Sequence, residues 1–147
     1  MPKRSARVNK RQPGPTSSTR PLVVVCRGGD CGNRTKHPGF DHADQLRELR
    51  TNLQPAADVV TSSCLDACDR SNVVVVVPGQ LGRTAGGEPV WIGRANDPDT
   101  TRDILTWVEA GGPALADEPP LVAIQQFRPS RLNRHELDEV IGTPDRG

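Results

Sequence analysis

Aromatic side chains are scarce in this chain: two Phe, two Trp and no Tyr among 147 residues. Proteins that hold single-stranded nucleic acid without sequence preference need exposed rings on which bases stack, so this scarcity argues against that class. Long hydrophobic runs are missing too. No apolar stretch approaches the roughly 18 residues of a membrane span. The basic N-terminus lacks the apolar segment of a secretory signal. A cytoplasmic protein with no membrane partner is therefore expected. Acidic residues are absent from positions 1–20, which hold Lys3, Arg4, Arg7, Lys10, Arg11 and Arg20. The other 13 basic residues face all 18 acidic ones, a net of −5 over 21–147. A basic tail thus precedes an acidic body. The tail is rich in Pro, Ser and Thr and carries no apolar periodicity, so it reads as disordered. A solubilising role for it is favoured over contact with nucleic acid or an acidic partner.

The body opens on a strand. Leu22, Val23, Val24 and Val25 run into Cys26 without polar alternation, as in a strand covered on both faces. A glycine-rich loop with Gly28, Gly29, Gly32 and Gly39 follows. Asp41 reads as a helix N-cap with Asp44 in the capping-box position. Ala43, Leu46, Leu49 and Leu53 supply a helical stripe that Pro55 ends. Ala57 to Thr61 reads as a second strand, and 62–72 as a polar loop. Val73 to Val77, five β-branched residues, read as a central strand. A glycine-rich turn over 82–88 returns the chain to a strand at Pro89–Gly93. Asp97 and Pro98 start a second helix, with Ile104, Leu105, Trp107 and Val108 as its apolar face. The helix between the first two strands predicts a parallel pair with a right-handed crossover. The last two strands should be antiparallel. The expected fold is α/β, a thioredoxin-like sandwich with a β-α-β-β-β-α core over 21–112. The tail is 1–20, and 113–147 is expected to be a peripheral extension. In it, Leu121 to Phe127 suggests a further strand, and Asn133 with Glu136 the cap of a terminal helix.

All four cysteines fall in polar loops that follow predicted strands. Cys26-x4-Cys31 follows the first and Cys64-x3-Cys68 the second. If those strands are parallel neighbours, both loops leave the same end of the sheet, where open α/β sheets place their sites. Four converging thiolates suit an iron–sulfur cluster or zinc. Structural zinc sites commonly use tighter pairs, often Cys-x2-Cys. The first pair matches the opening of the plant-type ferredoxin spacing, but that pattern needs a further cysteine where Arg34 stands. The glycines would let the backbone approach the sulfurs, and N–H groups with the charge of Arg27 would raise a cluster's potential. An imidazole, His37 or His42, is an alternative ligand, although loop and first-turn helical positions are the plainer reading of these two. Four casually buried cysteines, or a thiol–disulfide pair, are the other readings. No Ser–His–Asp set, Walker motif or dinucleotide fingerprint is present.

The stretches VCRGGDCGNRTKHPGFDHADQLREL, CLDACDRSNVVVVVPG and GRTAGGEPVWIG together resemble the bacterial 2Fe–2S ferredoxins of thioredoxin-like fold, relatives of the small cluster-bearing subunit of respiratory complex I. The resemblance covers about residues 22–110. Cys64 and Cys68 match the family's Cys-x3-Cys motif. The first pair is closer together than in the family's founding members, which makes His37 the alternative to Cys31. The resemblance implies a 2Fe–2S cluster on Cys26, Cys31, Cys64 and Cys68. It implies a non-enzymatic one-electron carrier between a reductase and an acceptor oxidoreductase, and allows a homodimer. A zinc-binding or cluster-sensing interaction module is the alternative, and a thiol–disulfide protein a third reading.

Overall fold

In the computed structural model the described residues are 19–28, 31, 33, 35 and 38–141, with Cys68 described by its backbone alone. Residues 1–18, Gly29, Asp30, Gly32, Arg34 and His37 lie outside that description, and with them nearly all of the basic tail. The chain is mixed α/β. Among the described residues a sheet of five strands runs in the order β2-β1-β3-β4-β5. β1 (Leu22–Cys26), the expected first strand, is buried along its whole length. It pairs in parallel with β2 (Asp58–Ser62), Leu22 opposite Asp58 and Cys26 opposite Ser62. On its other side it runs antiparallel to β3 (Val74–Val77). β3 is antiparallel to β4 (Val90–Ile92), as the valine run and the PVWIG segment predict.

Helix α1 (His42–Leu53) makes the crossover from β1 to β2. Asp41 caps it by accepting the Asp44 N–H at 2.9 Å. The Asp44 carboxylate instead holds Arg47 at 2.6 Å. The buried stripe is His42, Gln45, Leu49 and Leu53. It is displaced from the expected one: Ala43 is exposed and Leu46 only half-buried. A short helix, α2 (Gln80–Thr84), occupies part of the expected glycine-rich turn. Helix α3 (Pro98–Glu109) starts as predicted, with Asp97 accepting from Thr100 N–H at 3.1 Å.

The period-two alternation of the strands sorts the core into two faces. Val23, Val25, Val74, Val76 and Ile92 pack beneath α1 and α3 with Leu49, Leu53, Ile104 and Trp107. Val24, Cys26, Val75, Val77 and Trp91 line the opposite face with Cys31, Leu65, Ala67, Leu137 and Ile141.

The segment after Pro113 contributes to both faces and to the sheet. Leu121–Phe127 is not a strand throughout: it is helix α4 (Pro120–Gln125) followed by a two-residue strand β5 (Gln126–Phe127) on β4. Pro120 suits the first turn of a helix, where its missing N–H costs nothing. The Asp103 carboxylate accepts the otherwise unpaired Leu121 N–H at 3.1 Å, and Val122 is buried in the first face. The terminal helix α5 (Arg131–Ile141) is capped by Ser130, not by Asn133. Asn133 N–H donates to Ser130 Oγ at 3.0 Å and Asn133 Oδ1 accepts Ser130 N–H at 2.9 Å, a reciprocal box with Asn in the third helical position.

Leu137 and Leu49 thus bury the two opposite faces of one sheet. Leu137→Ala is expected to cost about 2–4 kcal/mol in denaturant unfolding, comparable with Leu49→Ala. A Leu137→Ala protein as stable as wild type would show that α5 adds nothing to the core.

Candidate functional site

The parallel register sets the two cysteine loops side by side. β1 and β2 end at opposed residues, and the pairing continues one step further, with Arg27 N–H donating to the Ser62 carbonyl at 3.0 Å. The loops then touch. A Cβ on Gly28 would overlap the backbone nitrogen of Cys64 and stand 2.8 Å from the Ser63 carbonyl carbon. Only glycine fits there, so the expected close approach holds at Gly28. Gly29 and Gly32 lie outside the described residues.

Cys26 and Cys31 are both buried, at 1% and 4% exposure. A turn closed by Cys31 N–H on the Gly28 carbonyl at 3.0 Å brings Cys31 back under β1. Its Sγ accepts Val73 N–H at 3.4 Å. Cys64 Sγ accepts Asp66 N–H at 3.2 Å. Asp66 turns the second loop with φ 64°, a left-handed conformation that Asp tolerates better than most residues. Cys26, Cys31 and Cys64 are thiols, not half-cystines. Cys68 begins a one-turn 3-10 helix, Cys68–Arg70.

As a thiol, Cys26 lies within reach of the Ser63 carbonyl at 3.6 Å and the Gly28 carbonyl at 3.9 Å. The surroundings favour its ionised form. Its pKa falls from 9.0 to about 6, chiefly through the hydrogen bond from Cys31; burial opposes this, and backbone groups at Gly28 and Leu65 and the Ser62 hydroxyl assist it. Among the described residues the Ser62 hydroxyl is buried with no partner at full hydrogen-bond distance.

Arg27 leaves the strand toward α1. Its guanidinium donates to the carbonyls of Cys26 and His42, both at 2.9 Å, to Asn72 Oδ1 at 3.0 Å and to Gln45 Oε1 at 3.2 Å. Burial lowers its pKa, and the neighbouring Cys31 and Cys26 raise it. Gln45 and Asn72 are buried and bonded to each other, Asn72 Nδ2 to Gln45 Oε1 at 2.9 Å. His42 joins the edge of this network, its Nε2 3.3 Å from Asn96 Oδ1. It lies in the buried stripe of α1, its ring edge-on to Phe40 at 5.1 Å. On the opposite side, Asn133 Nδ2 donates to the carbonyls of Leu65 and Asp66 at 3.0 and 2.9 Å, pinning the Cys64 loop to α5.

The sequence does not single out Gln45 or Asn72, and it marks Asn133 only as a helix cap. Gln45 gave a signal: a polar residue at the third-residue spacing of a buried stripe. Among the described residues no group of three or more His, Cys, Asp or Glu side chains stands close enough to hold a metal ion. The Cys68 side chain and His37 lie outside the described residues.

In the metal-free chain, titration of thiolate absorbance is expected to show a midpoint near 6 that Cys26→Ser abolishes. Because the folded pKa is the depressed one, the stabilisation is fully present above about 9 and lost as pH falls through about 6. Unfolding free energy measured from pH 6 to 9 should therefore rise more steeply in wild type than in Cys26→Ser. Parallel curves would contradict the assignment.

No helix among the described residues is long and apolar enough to cross a membrane. Comparison of the chain with models of known protein families, with curated proteins and with solved structures returns no match.

Proposed function

We propose that this protein is a 2Fe–2S electron carrier whose cluster is held by Cys26, Cys31, Cys64 and Cys68. The observation that carries the reading is the meeting of two cysteine loops at the carboxyl ends of parallel neighbouring strands, with backbone N–H groups aimed at sulfur in each. A cluster ligated by thiolates needs deprotonated sulfur and donors directed at it. The preference of Cys26 for the thiolate, the Val73 and Asp66 N–H groups, and the glycine contact at Gly28 fit that need. When bound, the cluster supplies one-electron exchange. The chain's own residues bind it, orient its ligands and exclude water, and they catalyse nothing themselves. Cys68 is the fourth ligand on this reading.

The fold order supports the same reading. A parallel β1–β2 pair joined by α1, followed by an antiparallel β3–β4 pair and α3, is the arrangement that a thioredoxin-like domain requires. Asp66 and Asp69 are exposed on the second loop and would face a basic redox partner.

A second reading, a thiol–disulfide protein, is favoured by one observation: Cys26 is hydrogen-bonded by Cys31 and ionises readily.

Protein purified without oxygen is expected to be red-brown, with iron and labile sulfide in similar amounts. Cys26→Ser, Cys64→Ser and Cys68→Ser should each lose or strongly destabilise the chromophore, because a site of four thiolates is left with three. A normal spectrum from Cys31→Ser would make His37 the ligand in its place. Colourless wild-type protein that contains zinc would replace the carrier by a zinc module. Metal-free protein that exchanges disulfides would establish the thiol reading.

A further inference from the structure

We propose that Arg27 is the built-in counter-charge of the cysteine site, fixed in place by the buried amides of Gln45 and Asn72, and that Gln45 is its positioning residue. The inference deepens the electron-carrier reading and rests on it.

The Arg27 guanidinium donates to neutral groups alone. Its four hydrogen-bond acceptors are two backbone carbonyls and two side-chain amides, all neutral. It takes part in none of the ion pairs among the described residues. Neutral acceptors satisfy a guanidinium's donors without cancelling its charge, and a half-buried cation with no anion is costly to keep. The Arg27 guanidinium donates to the Cys26 carbonyl at 2.9 Å, which holds the cation against the end of β1 beside that cysteine. The fold therefore leaves sulfur-borne charge as the anion that balances Arg27.

The amides are not adaptable fillers. Gln45 Nε2 donates to the Ala95 carbonyl at 2.9 Å and to Thr101 Oγ1 at 3.0 Å, which turns Oε1 toward Arg27. Asn72 Nδ2 donates to Gln45 Oε1 and to the Ala95 carbonyl at 3.3 Å, which turns Oδ1 the same way. Both oxygens are thus committed to a cation by bonds at the other end of each amide. Strand geometry completes the arrangement: Cys26 and Arg27 are adjacent in sequence, so they point to opposite faces. Cys26 and Cys31 sit with α5 and the cation with α1, on opposite sides of the end of β1. A cation held there favours whichever state of the site carries more negative charge. It should raise a cluster's reduction potential and tighten any thiolate–metal complex.

The test uses the full chain as wild type, Arg27→Gln, Arg27→Lys and Gln45→Glu. The last is nearly isosteric and sets a carboxylate against Arg27, so it neutralises the charge without emptying the pocket, though it gives up the amide's bond to the Ala95 carbonyl. In anaerobically purified protein at a fixed poise, the reduced-to-oxidised ratio should fall about tenfold in Arg27→Gln and Gln45→Glu, a midpoint lower by ~59 mV for one electron. Arg27→Lys should retain most of the wild-type value. In the metal-free chains, Zn2+ affinity measured against a chromophoric chelator should fall about tenfold in the same two variants, since the thiolate complex loses its counter-charge. Where Arg27→Gln does not fold, Gln45→Glu decides. Unchanged potentials in loaded variants overturn the counter-charge and leave the carrier reading standing. Wild type without iron or sulfide removes the carrier reading, and the zinc arm then decides the counter-charge alone. Equal zinc affinities in that case overturn it too.

Discussion

The register of β1 against β2 is the constraint on which the rest of the structure depends. Cys26 opposite Ser62, in parallel, makes both strands end at one level, so the loops that follow must share the same space. Parallel strands cannot be joined by a tight turn, which is why α1 exists and why its N-terminus lies beside the first loop. A slip of one residue would exchange the faces of the whole strand. Cys26 would then move from the α5 side to the α1 side, and Arg27 would take its place. The valine-rich composition of β1 gives little protection against such a slip. The polar ends do: Arg27 N–H on Ser62 and the guanidinium on α1 can form in one register only.

The two faces of the sheet divide the labour. The first, under α1 and α3, holds the larger apolar cluster and, at its edge, the Arg27–Gln45–Asn72 network. The second, under α5, holds Cys26 and Cys31 among Val24, Val73, Val75 and Trp91. Sulfur tolerates that apolar setting because Cys is a small hydrophobe when protonated. Its ionised form is tolerated because donors converge on it from Cys31 and the loop backbones. One strand end thus presents opposite charges to opposite sides, and neither could be moved to the other face without losing its partners.

Much of the frame was legible. The apolar runs at 22–25 and 73–77, with no polar alternation, mark strands buried on both faces, and they are. Asp41 and Asp97 announce helix starts because an Asp side chain satisfies an orphan N–H there and little else explains its position. The convergence of the cysteine loops followed from topology alone. What stayed hidden depends on partners far away in sequence. Gln45 stands in a leucine stripe, and its reason for being there is Asn72, Ala95 and Thr101. Asn133 looked like a cap because nothing local reveals that its amide reaches Leu65 and Asp66. Leu121–Ile124 alternates poorly either way, and the helix there is decided by a proline and by Asp103 on another helix. Local pattern encodes elements; the amides that lock loops to helices are encoded by pairs.

Those amides also bear on which chemistry suits the site. Buried amides hold the start of each cysteine loop from one side of the sheet: Asn72 and Gln45 hold Arg27, and Asn133 holds Leu65 and Asp66. Disulfide exchange requires an attacking sulfur that a partner's sulfur can reach, and a loop that yields as the bond changes hands. Cys26 and Cys31 are almost fully covered, and the first loop is closed by its own turn hydrogen bond. Electron exchange asks for the reverse. It needs no contact between reacting atoms, and it gains from ligands that stay put when charge changes. A depressed Cys26 pKa serves either chemistry, but cover and anchoring together serve the second, which is why the carrier and not the dithiol is the function proposed.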